Sequence, residues 1–317
     1  MKVIRITPGL GNQMFQYAFI LNYKLRGEKI ALDTTPCLNS KKHNGYELER
    51  IFGIKEHILT PWEKFKINGP YFYFKEREIT FLKLVNKIRK KIFDSKTILS
   101  FRGFLQEKDS SEEFNFYQSY LNLSKDLYIV GYFTSWRYFD DIKKEVFDIF
   151  SFLEIKKEDL KNFRILEKIK NTESVSLHIR RGDYIKYNNL NILDIKYFKN
   201  SFNFVLKKLL KEKIAKECNI SFFVFSDDIE WCKENLDFLK DFDVNYVDWN
   251  KENDSYKDMQ LMSECKHNII SNSTFSWWGG YLNKNKNKIV CAPSHWYLNI
   301  KTSCDKIPKE WYIIANY

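Results

Sequence analysis

Two adjacent arginines, Arg180 and Arg181, directly follow a predicted strand, 175–179, that carries His178. A guanidinium group keeps its charge at neutral pH and presents forked N–H donors that match the oxygens of a phosphate. Gly182 follows the pair and lets the backbone approach a ligand closely. The alternative is a surface pair of arginine and aspartate, which would contribute little to stability. The position at the end of a strand favours an anion-binding site.

A second polar segment, 272–276, opens a predicted helix after another predicted strand, 268–271. Free backbone N–H groups and hydroxyl donors at a helix start can cradle a phosphate. Helix capping, with Trp277 and Trp278 in the core, is the structural alternative. Because two such loops follow strands of one predicted sheet, we favour a ligand that carries phosphate. The residues of this segment expected to contact it are Asn272, Ser273, Thr274, Phe275 and Ser276.

A third segment, Ser226-Asp227-Asp228, follows the apolar run 222–225. A carboxylate in this position suits a sugar hydroxyl or the N–H groups of a purine. Two acids at a helix start are equally typical of N-capping. A metal site is the least favoured of the three interpretations, although hard cations do bind carboxylate oxygens.

Strands and helices alternate regularly after residue 170, which predicts an α/β fold with a doubly wound parallel sheet. Ligands of such sheets bind beyond the carboxyl ends of the strands, where the three polar segments lie. The change in pattern places a domain boundary between 1–165 and 166–317. The expected strands are 175–179, 222–225, 244–247, 268–271 and 288–291, and the expected helices include 197–214, 256–265 and 274–282.

The amino end predicts a strand through Val3–Ile6, a tight turn at Pro8–Asn12 and a helix over Met14–Leu25. The turn is not a G-x-G-x-x-G dinucleotide motif, because Met14 stands where the last glycine would be. The stretch 55–150 is irregular and aromatic. Within it, Phe81–Phe93 has a basic amphipathic pattern that fits either a solvated surface helix or attachment to anionic lipid.

Composition narrows the class of protein. The 317 residues carry 52 Lys and Arg against 41 Asp and Glu, a net charge of +11, and 17% are aromatic. A surplus of this size suits nucleic acid, an acidic membrane surface or a phosphorylated small molecule. The six cysteines form no C-x-x-C pair and no apolar run reaches the ~18 residues of a spanning helix, so we expect reduced thiols and a cytoplasmic protein.

Four motifs, 9–18, 178–184, 225–228 and 272–278, together resemble the α-1,2-fucosyltransferases of glycosyltransferase family 11. The resemblance spans almost the whole chain and keeps the family's motif order. It implies a GT-B-like fold, in which two Rossmann-like domains place parallel sheets on a central cleft. It also implies GDP-β-L-fucose as donor, the 2-hydroxyl of a terminal galactose as acceptor, inversion at the transferred sugar, and neither a metal nor another cofactor.

The resemblance carries roles over to individual residues. It implies that Arg180 holds the β-phosphate, with Arg181 beside it, and that Asn12 lies near fucose and acceptor. Asp183 follows the arginines and is our choice of general base. The expected donor-binding residues are His178, Arg180, Arg181, Asp227, Asp228, Asn272, Ser273, Thr274, Phe275 and Ser276, and the expected acceptor-binding residues are Asn12, Gln13 and Tyr184.

The sequence therefore predicts a galactoside 2-α-L-fucosyltransferase that acts in surface glycan synthesis, such as O-antigen or capsule. Its partners would be GDP-fucose and a galactose-terminated oligosaccharide or lipid-linked glycan, with no nucleic acid. A peripheral position at the inner face of the cytoplasmic membrane would follow if Phe81–Phe93 binds lipid. The alternatives are a fucosyltransferase for another hydroxyl and a glycan-binding protein without catalysis.

Overall fold

Parallel β-sheets with helices between the strands form the framework of the chain. The computed structural model describes residues 1–38, 43–68, 103–107, 115–124, 126–182, 184–186, 192–211, 219–297, 300–301 and 305–316. Two sequence predictions, the general base Asp183 and the amphipathic segment Phe81–Phe93, lie outside these residues.

The strands are numbered in chain order. Within the described residues they are β1 Lys2–Arg5, β2 Ile30–Asp33, β3 Gly103–Gln106, β4 Leu127–Val130, β5 Glu173–Ile179, β6 Ile220–Ser226, β7 Asp243–Val247, β8 His267–Ile269, β9 Val290–Pro293, β10 His295–Tyr297, β11 Ile300–Lys301 and β12 Tyr312–Ile314.

The helices are numbered in the same way, and short 3₁₀ turns lie between several of them. In the described part of the chain the α-helices are α1 Leu10–Leu25, α2 Thr35–Leu38, α3 Leu48–Phe52, α4 Pro61–Asn68, α5 Lys143–Ile149, α6 Leu160–Asn171, α7 Ile195–Lys211, α8 Ile229–Asn235, α9 Tyr256–Glu264 and α10 Thr274–Leu282.

The amino half builds a four-stranded sheet in the order β2-β1-β4-β3, with every pair parallel. The chain places β2 on one side of β1 and the later strands on the other side. The sheet therefore reverses its winding between β1 and β4. The loops that follow these two strands open at the same edge, as expected at such a switch point.

The carboxyl half builds a six-stranded sheet in the order β12-β9-β8-β5-β6-β7, again with every pair parallel. Counted along the chain from β5, this is the Rossmann strand order, which reverses between its first strand, β5, and its fourth, β8. The strands β5 and β6 are buried along their whole length. Burial on both faces explains the continuous apolar run 222–225 in β6, whereas β5 alternates Val175, Leu177 and Ile179 with Ser176 and His178. The predicted α/β fold with two parallel sheets is confirmed.

One apolar core joins the two halves. Trp277 and Trp278 of α10 are fully buried, as the sequence predicts, and the ring centroid of Phe15 in α1 lies 4.6 and 5.0 Å from theirs. Phe139 stacks on Trp278 at 5.5 Å. The predicted boundary at 165/166 falls inside α6, which packs against β5 and α9.

Two further features concern cysteine chemistry and membranes. Cys37, Cys232, Cys265 and Cys291 are buried free thiols. Across the described ranges, no helix is both long enough and apolar enough to cross a membrane.

Candidate functional site

At the switch point of the carboxyl sheet, the strand ends that precede two of the predicted polar segments lie side by side. His178 lies near the end of β5, and Ser271 follows β8, the neighbouring strand. The imidazole Nδ1 of His178 lies 2.8 Å from the hydroxyl of Ser271. This pair forms the floor of the candidate site, because both side chains are buried.

The imidazole of His178 is held in its neutral form. Burial, and then the positive charge of Arg180, lower the pKa of His178 to about 3. The ring of Phe275 lies beside it, with centroids 6.0 Å apart. A neutral imidazole and an aromatic ring form a surface suited to a planar heterocycle rather than to a phosphate.

The arginine pair directly follows β5 and is held by two carboxylates. A guanidinium nitrogen of Arg180 lies 3.1 Å from Asp227, and Nε of Arg181 lies 3.4 Å from Asp228. The backbone N–H of Arg181 also donates to Asp227, at 2.9 Å. All four side chains are only partly buried. A guanidinium has five donors, so a contact with one carboxylate does not exhaust its capacity to bind an anion.

Local packing explains two neighbouring residues. The guanidinium of Arg181 stacks on the ring of Trp231 at 3.9 Å, a cation–π contact that fixes its plane. At Gly182, a Cβ would lie 3.0 Å from the carboxylate of Asp227, so glycine allows the loop to close on that carboxylate. Trp231 escaped our sequence predictions, although its position three residues after Asp228 is a usable signal.

The two aspartates have different local roles. Asp228 is the N-cap of α8, where its carboxylate accepts a hydrogen bond from the N–H of Trp231 at 3.3 Å. Asp227 has its contacts with the two arginines. Capping and arginine binding therefore coexist at Asp228. In this structure both acids contact the arginines, and Asp228 also caps α8.

The start of α10 forms the opposite wall of the site. Ser273 is its N-cap and accepts from the N–H of Phe275 at 3.3 Å. Ser276 is buried, and its hydroxyl contacts Ser271 and the carbonyl of Ser273, both at 3.4 Å. Asn272 is buried and donates to the carbonyl of Trp296 at 2.8 Å. Thr274 and Phe275 are the partly exposed members of this segment.

The start of α1, from the amino half, meets the start of α10. The hydroxyl of Thr274 donates to the side-chain oxygen of Asn12 at 2.9 Å. A Cβ on Gly11 would lie 2.5 Å from the backbone carbon of Thr274, so the two helix starts touch backbone to backbone. Helix N-termini carry partial positive charge, and two of them meet here. This junction therefore favours an anion.

Gln13 and Tyr184, both predicted to bind the acceptor, occupy different surroundings. Gln13 is fully buried: its amide donates to the carbonyl of Gly45 at 2.8 Å and accepts from the N–H of Glu47 at 2.9 Å. It thus holds the loop 45–47 on α1 and does not reach the surface of the site. Tyr184 is partly exposed, and its hydroxyl donates to the carbonyl of Asn272 at 3.0 Å.

A further titratable group lies at the same edge of the carboxyl sheet. Asp258, in the first turn of α9, accepts from the side-chain amide of Asn250 at 2.8 Å, and burial raises its pKa to about 7. Sequence reasoning missed it, although an acid at the start of a helix after β7 is a recognisable pattern. As for metal ligands, the described part of the chain holds no cluster of three or more His, Cys, Asp or Glu side chains placed for an ion.

The chain is similar to known proteins over almost its full length. The sequence model described as Glycosyl transferase family 11 matches residues 3–315. The Alpha-1,2-colitosyltransferase of Escherichia coli is 31% identical, over 98% of this chain and 97% of its own length. The O-antigen biosynthesis glycosyltransferase WbnK of Escherichia coli is also 31% identical, over 92% of this chain and 93% of its own length.

More distant similarities include one animal enzyme and two solved structures. Galactoside alpha-(1,2)-fucosyltransferase 1 of Saimiri boliviensis boliviensis is 26% identical, over 49% of this chain and 43% of its own. Among solved structures, fucosyltransferase NodZ from Bradyrhizobium superposes with a TM-score of 0.47 at 12% identity, covering 88% of this chain and 91% of NodZ. A mutant of Arabidopsis thaliana FUT1 in complex with GDP superposes with a TM-score of 0.48 at 14% sequence identity. The superposition covers 91% of this chain and 69% of the FUT1 chain.

Proposed function

This chain belongs to glycosyltransferase family 11, and we propose on that basis that it moves L-fucose from GDP-β-L-fucose to the 2-hydroxyl of a terminal galactoside, with inversion. The observation that carries the proposal is the position of Arg180 and Arg181. They follow β5 at the switch point of a Rossmann-ordered sheet, next to the start of α10. That edge is where such sheets bind nucleotides.

The donor site is assembled from both walls. Arg180 and Arg181 supply positive charge for the diphosphate, and the N-termini of α1 and α10 add partial charge of the same sign. His178 and Phe275 provide the neutral, aromatic surface for the guanine end. Asp227 and Asp228 hold the guanidinium groups in position. The remaining donor-binding residues, Asn272, Ser273 and Ser276, shape the loop around the phosphates.

The arrangement favours departure of GDP. As the acceptor oxygen bonds to the anomeric carbon of fucose, the bond from that carbon to the β-phosphate oxygen breaks and negative charge grows on GDP. Preorganised cations at this position stabilise the transition state more than the ground state. Because the arginine pair supplies that charge, we expect transfer to proceed without a metal ion and to persist in EDTA.

The residues proposed to bind and activate the acceptor are Asn12, Tyr184 and the general base. Asn12 lies at the junction of the two halves, where its side-chain oxygen accepts from Thr274. Tyr184 lies beside the arginine pair, with the guanidinium of Arg180 5.8 Å from its ring. Asp183, between them in sequence, is our candidate for the base that takes the proton of the 2-hydroxyl. Gln13 contributes indirectly, by fixing the loop 45–47.

A second donor deserves a test because of one relative. The Escherichia coli enzyme that shares 31% identity over 98% of this chain is described as an alpha-1,2-colitosyltransferase. Colitose is L-fucose without its 3-hydroxyl, so the two donors differ by one polar group. A site that hydrogen-bonds this hydroxyl discriminates strongly against the deoxy sugar, whereas an apolar surface at that point discriminates weakly.

The other relative supports a proposal for the biological setting. WbnK is described as an O-antigen biosynthesis glycosyltransferase. We place this chain in the synthesis of a surface glycan, with a galactose-terminated oligosaccharide or lipid-linked glycan as acceptor, at or near the inner face of the cytoplasmic membrane. A peripheral membrane contact through Phe81–Phe93 remains part of the proposal.

The proposed function is tested by measuring GDP binding and by comparing two sugar donors in an activity assay. Isothermal titration with GDP is expected to give saturable binding to the wild type and weakened binding to Arg180→Ala; a wild type that binds galactosides but no GDP would indicate a glycan-binding protein instead. Parallel assays with GDP-fucose and GDP-colitose on one β-galactoside then rank the donors. A higher kcat/KM for GDP-colitose would replace fucose in the proposal and leave the family assignment unchanged.

A further inference from the structure

The turn after β4, residues 131–134, lies at the switch point of the amino sheet. The carboxyl end of β4 adjoins that of β1, whose following loop leads to Asn12. The side chain of Gln16 in α1 connects the two loops: it donates to the carbonyl of Gly131 at 2.7 Å and accepts from the N–H of Thr7 at 3.0 Å. The turn is therefore fixed against the same helix that carries Asn12.

The backbone of this turn is held in an uncommon conformation. Phe133 has φ +50°, in the left-handed region that side chains other than glycine rarely adopt. Its fully buried ring stacks on Phe19 with centroids 3.9 Å apart and planes 11° apart, which compensates for the backbone cost. The turn can contact Glu107 only because residue 131 is glycine: a Cβ there would lie 2.5 Å from Cβ of Glu107. Strained backbone maintained by packing is typical of functional sites.

The side chain of Glu107 holds this turn by hydrogen bonds to its backbone. Its carboxylate accepts from the backbone N–H of Tyr132 at 2.6 Å and from that of Phe133 at 3.0 and 3.1 Å. Burial raises the pKa of Glu107, while these two bonds and the charge of Lys306 lower it. A carboxylate shared by two successive N–H groups holds both peptide planes and so determines where the side chain between them points.

Tyr132 is the side chain that this arrangement presents. It is 51% exposed, whereas Phe133 and Thr134 after it are buried. An exposed aromatic ring on a rigid support offers a flat apolar face, and the C–H face of a galactose ring is its natural complement. Resting on the proposed function, we propose that Tyr132 is the stacking platform for the acceptor galactose, and that Glu107 is its positioning residue.

The test separates acceptor from donor effects. Tyr132→Ala is expected to raise the KM for a β-galactoside about tenfold, the factor for one lost aromatic contact. The KM for GDP-fucose, and the slow hydrolysis of GDP-fucose without acceptor, are expected to stay at wild-type values. Tyr132→Phe and Tyr132→Trp keep the flat face and are expected to keep the acceptor KM within about twofold. An unchanged acceptor KM in Tyr132→Ala, or an increase in donor KM alone, would overturn the proposal.

Glu107 is tested through the same readout. Glu107→Gln keeps one acceptor oxygen and is expected to retain most acceptor affinity. Glu107→Ala removes both carboxylate oxygens and is expected to raise the acceptor KM. If Glu107 acts through Tyr132, the double variant Glu107→Ala/Tyr132→Ala has the acceptor KM of Tyr132→Ala alone; additive increases would exclude the positioning role. A wild type that transfers no sugar to any galactoside would refute the proposed function itself, which distinguishes that failure from failure of the platform.

Discussion

The hydroxyl of Thr274 donates to the side-chain oxygen of Asn12 at 2.9 Å, across 262 residues of sequence. This bond connects the first residue of α10 with the first turn of α1, and so connects the two halves at the point where two helix N-termini meet. The positive end of each helix dipole is thereby held beside the other. The geometry of the candidate diphosphate site thus depends on residues from both halves.

Removing that one hydroxyl tests the connection. Thr274→Val keeps the shape of the side chain and loses the donor, so Asn12 is no longer held at the helix start. We expect kcat/KM for transfer to fall about tenfold, at the upper end of what one hydrogen bond contributes. Thr274→Ser keeps the hydroxyl and is expected to remain near wild type. Equal activity of the Val and wild-type proteins would show that the bond has no part in catalysis.

Close backbone contact at Gly11 makes a second prediction. In Gly11→Ala the new Cβ meets the backbone of Thr274 and Phe275 at 2.5–2.7 Å, so the two helix starts must separate. We expect a loss of about 1–3 kcal/mol in unfolding free energy, together with a large loss of kcat. Gly27→Ala is the control, because no atom lies within 4 Å of a Cβ there and only its backbone conformation, φ +80°, opposes the change. If Gly11→Ala kept wild-type kcat, the helix contact would not shape the site.

The arginine pair makes the third prediction, on catalysis. Arg180→Ala is expected to lower kcat/KM by 10²–10³, the loss of about 2.7–4 kcal/mol associated with one preorganised donor to a developing anion. Arg180→Lys is expected to recover part of this loss, because it restores charge without the forked geometry. Lys168→Ala is the matched control: this cation pairs with Asp243 at 2.8 Å, at the amino end of β7 on the far edge of the same sheet. Equal losses in the two alanine variants would point to stability and not to ligand binding.

The fourth prediction concerns pH. Burial and Arg180 lower the pKa of His178 in the folded state to about 3, against about 6.5 in the unfolded chain. The unfolded state therefore binds one more proton between these values, and stability falls as pH decreases below about 6.5, by about 1.4 kcal/mol per pH unit. His178→Asn removes this term. Urea unfolding at pH 7.5, 6 and 5 is expected to give a shallower decline for the variant, and parallel declines would contradict the lowered pKa.

Local sequence patterns were sufficient to predict the strands of the carboxyl half and the loops that follow them. The strands are marked by an apolar run at 222–225 and by apolar residues that alternate or pair at 175–179 and 268–271. The polar residues that follow these strands mark the ligand edge, so the positions of Arg180 and Thr274 follow from sequence. The contact between Thr274 and Asn12 does not, because nothing local relates residues so distant. The burial of Gln13 depends on the loop 45–47 folding over α1, and the left-handed Phe133 depends on its packing against Phe19. Each of these is a tertiary effect that overrides a local preference.

The central claim is tested most directly by the structure of the product. The wild-type protein is incubated with GDP-fucose and a terminal β-galactoside in the presence of EDTA, and the linkage is determined by NMR. We predict a single product with L-fucose in α linkage to O2 of galactose, formed at the same rate with and without EDTA. Fucose on another hydroxyl, or the absence of any transfer, would contradict the account.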